Sequence, residues 1–531
     1  MSGPAPGLHH SDSSLSLRTR KANQEHKPPT ESTAKKSYVV DERVFASDLA
    51  SADEFEENDN LLSNSEVIDM GDIYHPSHKD KKPSRPYSMA VVWQICFFMV
   101  VLVFLAFMGM EGTRRFKINR KAFYNGTDYF DTTVIYLSLD GFRNDYLDRK
   151  VTPHLDAIAS EGIRAEYMNP SFPSITFPNH WTLVTGLYPE AHGIVANEFY
   201  DPVFREEFIH KKPEISGDPK WWGGEPIWIT AKRQGKKSAV MMWPGSNVPI
   251  QSVDPDYYMA YARTITAQQK MDQALAWLDL PRPDRPQSIS IYIPQVDQKG
   301  HGGGPDGKQL NGVLADMDQA IGHLMKGLEQ RNLQDHVHLV VVSDHGMAAS
   351  DQTRLIFYDH ILSPQSESYL MPREAWPLLG LRTKPDAPAG ALDQIYQEIQ
   401  AYMQDHPHDT HFQVYRRHEM PARFHYNATD RIAPIVMIPD VGYAIIRSNE
   451  FKPTEQKPYY SPRGIHGYDN LAFEMRAIFC AKGPQIRSTY VPGTVVRPFF
   501  NTEMYRFLTR LLDVTPAPNN ATLDGLFLSS L

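Results

Sequence analysis

The chain has only two cysteines in 531 residues, Cys96 inside an apolar run and Cys480 far downstream. That excludes a disulfide framework, and any metal site must draw on other ligands. There is no basic excess either: 54 Lys and Arg against 63 Asp and Glu leave a net charge of -9. Nucleic-acid binding, which needs a basic face, is therefore not expected. No internal repeat is visible. The composition is otherwise ordinary, 41% hydrophobic and 22% charged, and the length allows a large buried core.

Residues 89–110 read MAVVWQICFFMVVLVFLAFMGM, with Gln94 the only clearly polar member. A run of this length predicts a transmembrane helix, and it lies too far into the chain for a cleaved leader. Basic residues flank it on both sides, so the positive-inside rule does not orient it. The triplets Asn125-Gly126-Thr127, Asn427-Ala428-Thr429 and Asn520-Ala521-Thr522 all follow the run and none precedes it. This favours a single-pass type II signal-anchor with a luminal or extracellular C-terminal part, glycosylated at Asn125, Asn427 and Asn520. Cell surface, Golgi and a vacuole-like compartment all fit.

Residues 1–88 are polar and aperiodic and read as a disordered cytoplasmic tail. Within them Glu57, Leu61 and Leu62 resemble an acidic dileucine signal for a sorting adaptor, or are chance leucines after an acidic run. Residues 111–130 read as a stalk and 131–531 as one folded domain.

That domain alternates strand and helix. Apolar strands are predicted at 134–139, 238–242, 288–293 and 338–342, with helices near 153–161, 264–278 and 309–330. Near-continuous apolar strands between helices imply an α/β fold with a buried, mostly parallel sheet. Ligands of such sheets bind beyond the carboxyl ends of the strands. Three carboxylates stand at or just past such ends: Asp140, Asp297 and Asp344. Imidazoles accompany them. His345 adjoins Asp344, His301 follows Asp297 by four in an apparent Gly-rich loop, and His466 sits between Gly464 and Gly467. Each motif alone is compatible with a polar turn. Together they supply mixed oxygen and nitrogen ligands for two divalent ions, zinc above others.

The segment Phe172-Pro173-Ser174-Ile175-Thr176-Phe177-Pro178-Asn179-His180 precedes an apolar stretch. Pro178 suits the first turn of a helix, which puts Thr176 among free N–H groups at the positive end of the dipole. A hydroxyl there either caps the turn or attacks phosphorus. Two metals are a recurring device for displacement at phosphorus.

Five motifs in order carry a resemblance: Leu139-Asp140-Gly141; Thr176-Phe177-Pro178-Asn179-His180; Asp297 to His301; Ser343-Asp344-His345-Gly346; and Gly464-Ile465-His466-Gly467. The chain resembles the nucleotide pyrophosphatase/phosphodiesterases of the alkaline phosphatase superfamily, in particular short, catalytic-domain-only members. The resemblance implies an alkaline-phosphatase-like sheet flanked by helices and two zinc ions. Asp297, His301 and His466 would hold one ion, and Asp140, Asp344, His345 and the Thr176 hydroxyl the other. It implies Thr176 as nucleophile and Asn197 as a donor to a phosphoryl oxygen, shared with a backbone N–H beside Thr176. Phe177, Tyr261 and Tyr292 would hold a nucleobase, with Trp243 walling its pocket. The implied reaction is hydrolysis of nucleoside triphosphates, dinucleotides or nucleotide sugars to nucleoside 5′-monophosphates through a nucleotidyl-threonine. The alternatives are a phosphomonoesterase, a lipid-type phosphodiesterase or a phosphoethanolamine transferase on the same fold. A sulfatase is disfavoured, because Ala481-Lys482-Gly483-Pro484 follows Cys480 where that chemistry needs Cys-x-Pro-x-Arg.

Overall fold

Every residue of Thr133–Leu139 (β1) is buried, as a run rich in Val, Ile and Leu requires of a strand covered on both faces. The computed structural model describes residues 122–454 and 459–529, together with Phe97 and Met99. The chain divides into two units, Met1–Met108 and Gly109–Leu531. The expected tail, the remainder of the 89–110 run with its Cys96, the first part of the stalk, and the Glu57, Leu61 and Leu62 motif lie outside the described residues. Among the described residues no helix is long and apolar enough to cross a membrane.

Within the second unit the strands of the central sheet continue as Ile163–Ala165 (β2), Ser238–Met241 (β3), Tyr257–Met259 (β4), Ser288–Ile293 (β5), Val337–Val342 (β6), Phe479–Lys482 (β7) and Thr494–Val496 (β8). Their order is β8-β2-β7-β6-β1-β5-β3-β4. The run β6-β1-β5-β3-β4 is parallel throughout. By contrast β7 is antiparallel to both β6 and β2, so the sheet is mixed. Helices cover it: Pro153–Glu161 (α1), Thr176–Thr185 (α2), Ala267–Leu278 (α3), Gln295–Gly303 (α4) and Lys308–Gln330 (α5). The start of α3 is fixed by a reciprocal capping box between Thr266 and Gln269. A smaller antiparallel sheet joins Leu379–Leu381, Ile435–Pro439 and Phe412–Arg416 over its own apolar cluster.

Register aligns the strand ends that matter. Leu139 of β1 lies beside Ile293 of β5, and Ser138 lies beside both Tyr292 and Val342. Asp140, Asp297 and Asp344 therefore emerge from three neighbouring strands at one edge of the sheet.

Two expectations need correction. The domain begins before residue 131: Phe123–Tyr124 and Tyr129–Phe130 pair as a hairpin, and Arg285 lies over the Phe130 ring at 3.7 Å. Asn125 is also no open glycosylation site. It is 7% exposed, its Oδ1 accepts the Thr127 and Asp128 N–H groups, and its Nδ2 donates to the Arg331 carbonyl at 2.7 Å. The nitrogen that a glycan would need is engaged in holding the hairpin. Asn427 and Asn520 are exposed.

Candidate active site

Thr176 is the first residue of α2 and Pro178 falls in its first turn. Asn179 fixes the entry to this helix. Its Nδ2 donates to the carbonyls of Pro173 and Ile175, and its Oδ1 accepts from Ser171 N–H and Asn501 Nδ2. The Thr176 Oγ1 lies 3.2 Å from His345 Nε2.

The expected carboxylates and imidazoles converge there. Asp140 Oδ1 and Asp344 Oδ2 lie 3.5 and 3.0 Å from His345 Nε2. Asp297 Oδ1 lies 3.3 Å from His301 Nε2 and 3.4 Å from His466 Nε2, which are 3.2 Å from each other. The two groups touch: His345 also falls within ligand reach of Asp297 and His466, and the His345 and His466 rings stack at 3.6 Å. One expectation is revised. Asp297 and His301 sit on the helix α4, where a spacing of four puts them on one face. A Gly-rich loop is not what brings them together.

Whether these residues fit a cation can be tested on their hydrogen bonds. Asp140 Oδ1, Asp297 Oδ1 and Asp344 Oδ2 are buried without a hydrogen-bond partner. Unpartnered buried carboxylate oxygens are costly unless something positive meets them. The histidines face the same way. Nδ1 of His301, His345 and His466 lies 2.7, 2.8 and 3.0 Å from the carbonyls of Gly464, Gly346 and Ser174. Carbonyls only accept, so each Nδ1 carries the proton and each Nε2 lone pair points into the cluster. Charge crowding agrees. Burial, then the Asp344 and Asp297 carboxylates, push the Asp140 carboxyl well above its usual range. The residues present fit divalent cations.

Gly141 and Gly346 make the packing possible. Gly141 has φ +67°, a Cβ there would lie 2.9 Å from Asp297 Cα, and its N–H donates to Asp344 Oδ1 at 3.1 Å. At Gly346 a Cβ would lie 2.1 Å from the Glu474 carbonyl oxygen. Gly346→Ala is therefore expected to cost about 1–3 kcal/mol of stability by overpacking. A urea midpoint equal to the wild type's would show that the backbone yields without cost.

Asn197 accepts the Phe177 N–H through Oδ1 at 3.0 Å. This leaves its Nδ2 as the donor, but the backbone N–H beside Thr176 expected to share that role is already bonded to Asn197. The aromatic residues divide. Phe177 is partly exposed, and Tyr261 is 43% exposed with its ring 6.5 Å from that of Tyr292. Trp243 is 1% exposed, stacks on Tyr136 and donates its Nε1–H to the His180 carbonyl. It packs behind α2, against the residue one turn after Thr176. Tyr292 is 7% exposed and gives its hydroxyl to Asp140 Oδ2.

Two further residues belong to the site. His180, four after Thr176 on α2, has Nδ1 2.9 Å from the Thr176 carbonyl and 3.1 Å from Asp344 Oδ2, and Nε2 2.9 Å from Ser138 Oγ. Its helical spacing from Thr176 was a usable signal. His210 packs edge-on to Phe177 at 5.1 Å, and its Nδ1 lies 3.1 Å from the Asn197 carbonyl. Only the hairpin register of Glu198–Asp201 with Glu206–Ile209 reveals it.

The model of the type I phosphodiesterase/nucleotide pyrophosphatase family matches residues 134–469, the stretch that holds every ligand described above. The chain belongs to this family. Its members are hydrolases, and this phosphodiesterase is placed among them. It is 44% identical to an uncharacterized pyrophosphatase/phosphodiesterase of Schizosaccharomyces pombe, over 77% of this chain and 83% of that one. It is 37% identical to ectonucleotide pyrophosphatase/phosphodiesterase family member 3 of Mus musculus, over 74% of this chain but only 43% of that longer protein. Among solved structures, murine ectonucleotide pyrophosphatase/phosphodiesterase 5, an inactive threonine-to-alanine variant in complex with AMP, is similar with a TM-score of 0.65 and 32% identity. That match covers 74% of this chain and 98% of the murine one. These matches bear out an alkaline-phosphatase-like α/β fold, with the sheet mixed as described.

Proposed function

We propose that the protein hydrolyses nucleotide pyrophosphate and phosphodiester bonds and releases nucleoside 5′-monophosphates, with Thr176 as nucleophile and two zinc ions as cofactors. The carrying observation is the Thr176 hydroxyl at a helix N-terminus, 3.2 Å from an imidazole of a buried cluster with three unpartnered carboxylate oxygens. Asp297, His301 and His466 would hold one zinc ion and Asp140, Asp344 and His345 the other, and the ions would supply Lewis acidity at the reacting phosphate. Thr176 Oγ1 attacks phosphorus in line as the bond to the leaving oxygen breaks, its hydroxyl proton ending on the departing group or on solvent, which gives a nucleotidyl-threonine ester. Water then cleaves that ester and restores the hydroxyl. The Nδ2 of Asn197 donates to a phosphoryl oxygen as its charge grows. Phe177 and Tyr261 offer the partly exposed rings that a base can stack on. The AMP bound by the murine neighbour supports a nucleotide substrate.

Zinc content, together with hydrolysis of a nitrophenyl ester of a nucleoside monophosphate, tests this reading. Faster cleavage of nitrophenyl phosphate, a monoester, would overturn it. Asn197→Ala is expected to lower kcat about 10²-fold, the usual loss for one oxyanion donor. A KM effect with kcat unchanged would assign Asn197 to substrate binding instead.

The apolar run at 89–110 supports a single-pass anchor, and the triplets at Asn427 and Asn520 that follow it support a luminal or extracellular catalytic unit. Endoglycosidase-sensitive glycan at Asn427 or Asn520 is the expected result. An unmodified chain that added protease digests on intact vesicles would overturn this orientation.

A further inference from the structure

The hydroxyl of Tyr292 is turned toward the metal-holding residues. It donates to Asp140 Oδ2 and leaves Oδ1, the oxygen 3.5 Å from His345 Nε2, facing the cluster. Asp140 Oδ1 has no other hydrogen-bond partner. The phenol thus decides which oxygen of Asp140 is presented. Its ring is fixed on two sides, edge-on to His180 at 4.8 Å and tilted against Tyr261 at 6.5 Å. Its strand position adds a third restraint. Tyr292 of β5 lies beside Ser138 of β1, whose Oγ is bonded to His180 Nε2.

The backbone of Tyr292 is held as well. Lys270 of α3 is 1% exposed, and its Nζ donates to the Tyr292 carbonyl at 2.7 Å. Burial brings this ammonium down to about 8. Burying a lysine against one acceptor is costly. At this place it pins the end of β5, from which both Tyr292 and, four residues past the strand, Asp297 project.

We propose that Tyr292 is a positioning residue for the metal-holding Asp140, anchored from behind by Lys270, and that it sets how tightly this site holds its ion. The proposal rests on the two-metal reading above. An outer hydrogen bond to a metal-holding carboxylate is typically worth about 10–100-fold in metal affinity.

The test is Tyr292→Phe in the full chain, which keeps the ring and removes only the donor. Zinc affinity is read by competition with a chromogenic chelator, without nucleotide. The expected result is an affinity for one of two ions weakened about 10–100-fold, with excess zinc rescuing activity. Lys270→Met should shift the affinity in the same direction by less. A base platform alone predicts no change, so an unaltered zinc affinity in Tyr292→Phe overturns the proposal and leaves the two-metal reading standing. Wild-type protein that takes up no zinc overturns both. Melting of the chelated proteins separates fold from site: a lower melting point with unaltered zinc affinity would assign the phenol to the fold and also overturn the proposal.

Discussion

Thr176→Ala is expected to lower kcat by more than about 10³-fold, roughly 4 kcal/mol of transition-state stabilisation, with zinc content and nucleotide binding retained. The residue is the first of α2 and 9% exposed, and its Oγ1 is directed at His345 Nε2. The helix entry is fixed by Asn179, not by the threonine hydroxyl. Removing the oxygen therefore takes away the attacking atom and leaves the scaffold and the metal-holding residues in place. Single-turnover kinetics on a nitrophenyl nucleoside ester, zinc analysis and calorimetric titration with AMP check the three parts. A kcat within about tenfold of the wild type's would mean that another group, or water directly, attacks phosphorus. Loss of zinc together with activity would make Thr176 a structural ligand and leave the nucleophile unassigned.

The central strands and the metal-holding residues were legible in the sequence for one physical reason. Strands buried on both faces carry unbroken apolar runs, and a carboxylate where such a run ends stands out, as Asp140 and Asp344 do. What the pattern did not carry was direction and partner. The strand Phe479–Lys482 has three apolar residues and then a lysine, too little to distinguish from a turn, and nothing in it says that β7 runs against β6. Its Lys482 lies 7% exposed at the side chain because it reaches Glu161 at the end of α1. The glycines at 300, 302 and 303 pointed to a loop, yet α4 is helical through them, since tertiary packing overrides a weak propensity. Aromatic identity was equally mute about role. Trp243 and Tyr292 are as aromatic as Phe177 and Tyr261, but burial places the first two behind the chemistry. Asn125 shows the same limit, because a sequon is a local triplet and its accessibility depends on Arg331, 206 residues away.

Exhaustive chelation is expected to abolish activity and lower thermal stability, with zinc restoring both and magnesium restoring neither. The cluster gathers Asp140, Asp297 and Asp344, each buried with an oxygen that has no hydrogen-bond partner. Three imidazole lone pairs face the same space, since each Nδ1 is spent on a carbonyl. Such a set of oxygen and nitrogen donors suits zinc, whereas magnesium prefers oxygen ligands and retains its waters. A cation that binds only the folded state, at about a thousandfold excess over its Kd, stabilises that state by about 4 kcal/mol. Calorimetric melting of chelated and zinc-loaded protein reads this directly, and the gap should widen with free zinc. His345 sharpens the test because it lies within reach of both ligand groups. His345→Ala should weaken both ions, while His301→Ala should weaken one, counted as zinc retained per chain after gel filtration. Full activity in protein stripped of metal would remove the two-ion reading. Equal zinc loss from the two variants would show that the groups empty as one unit.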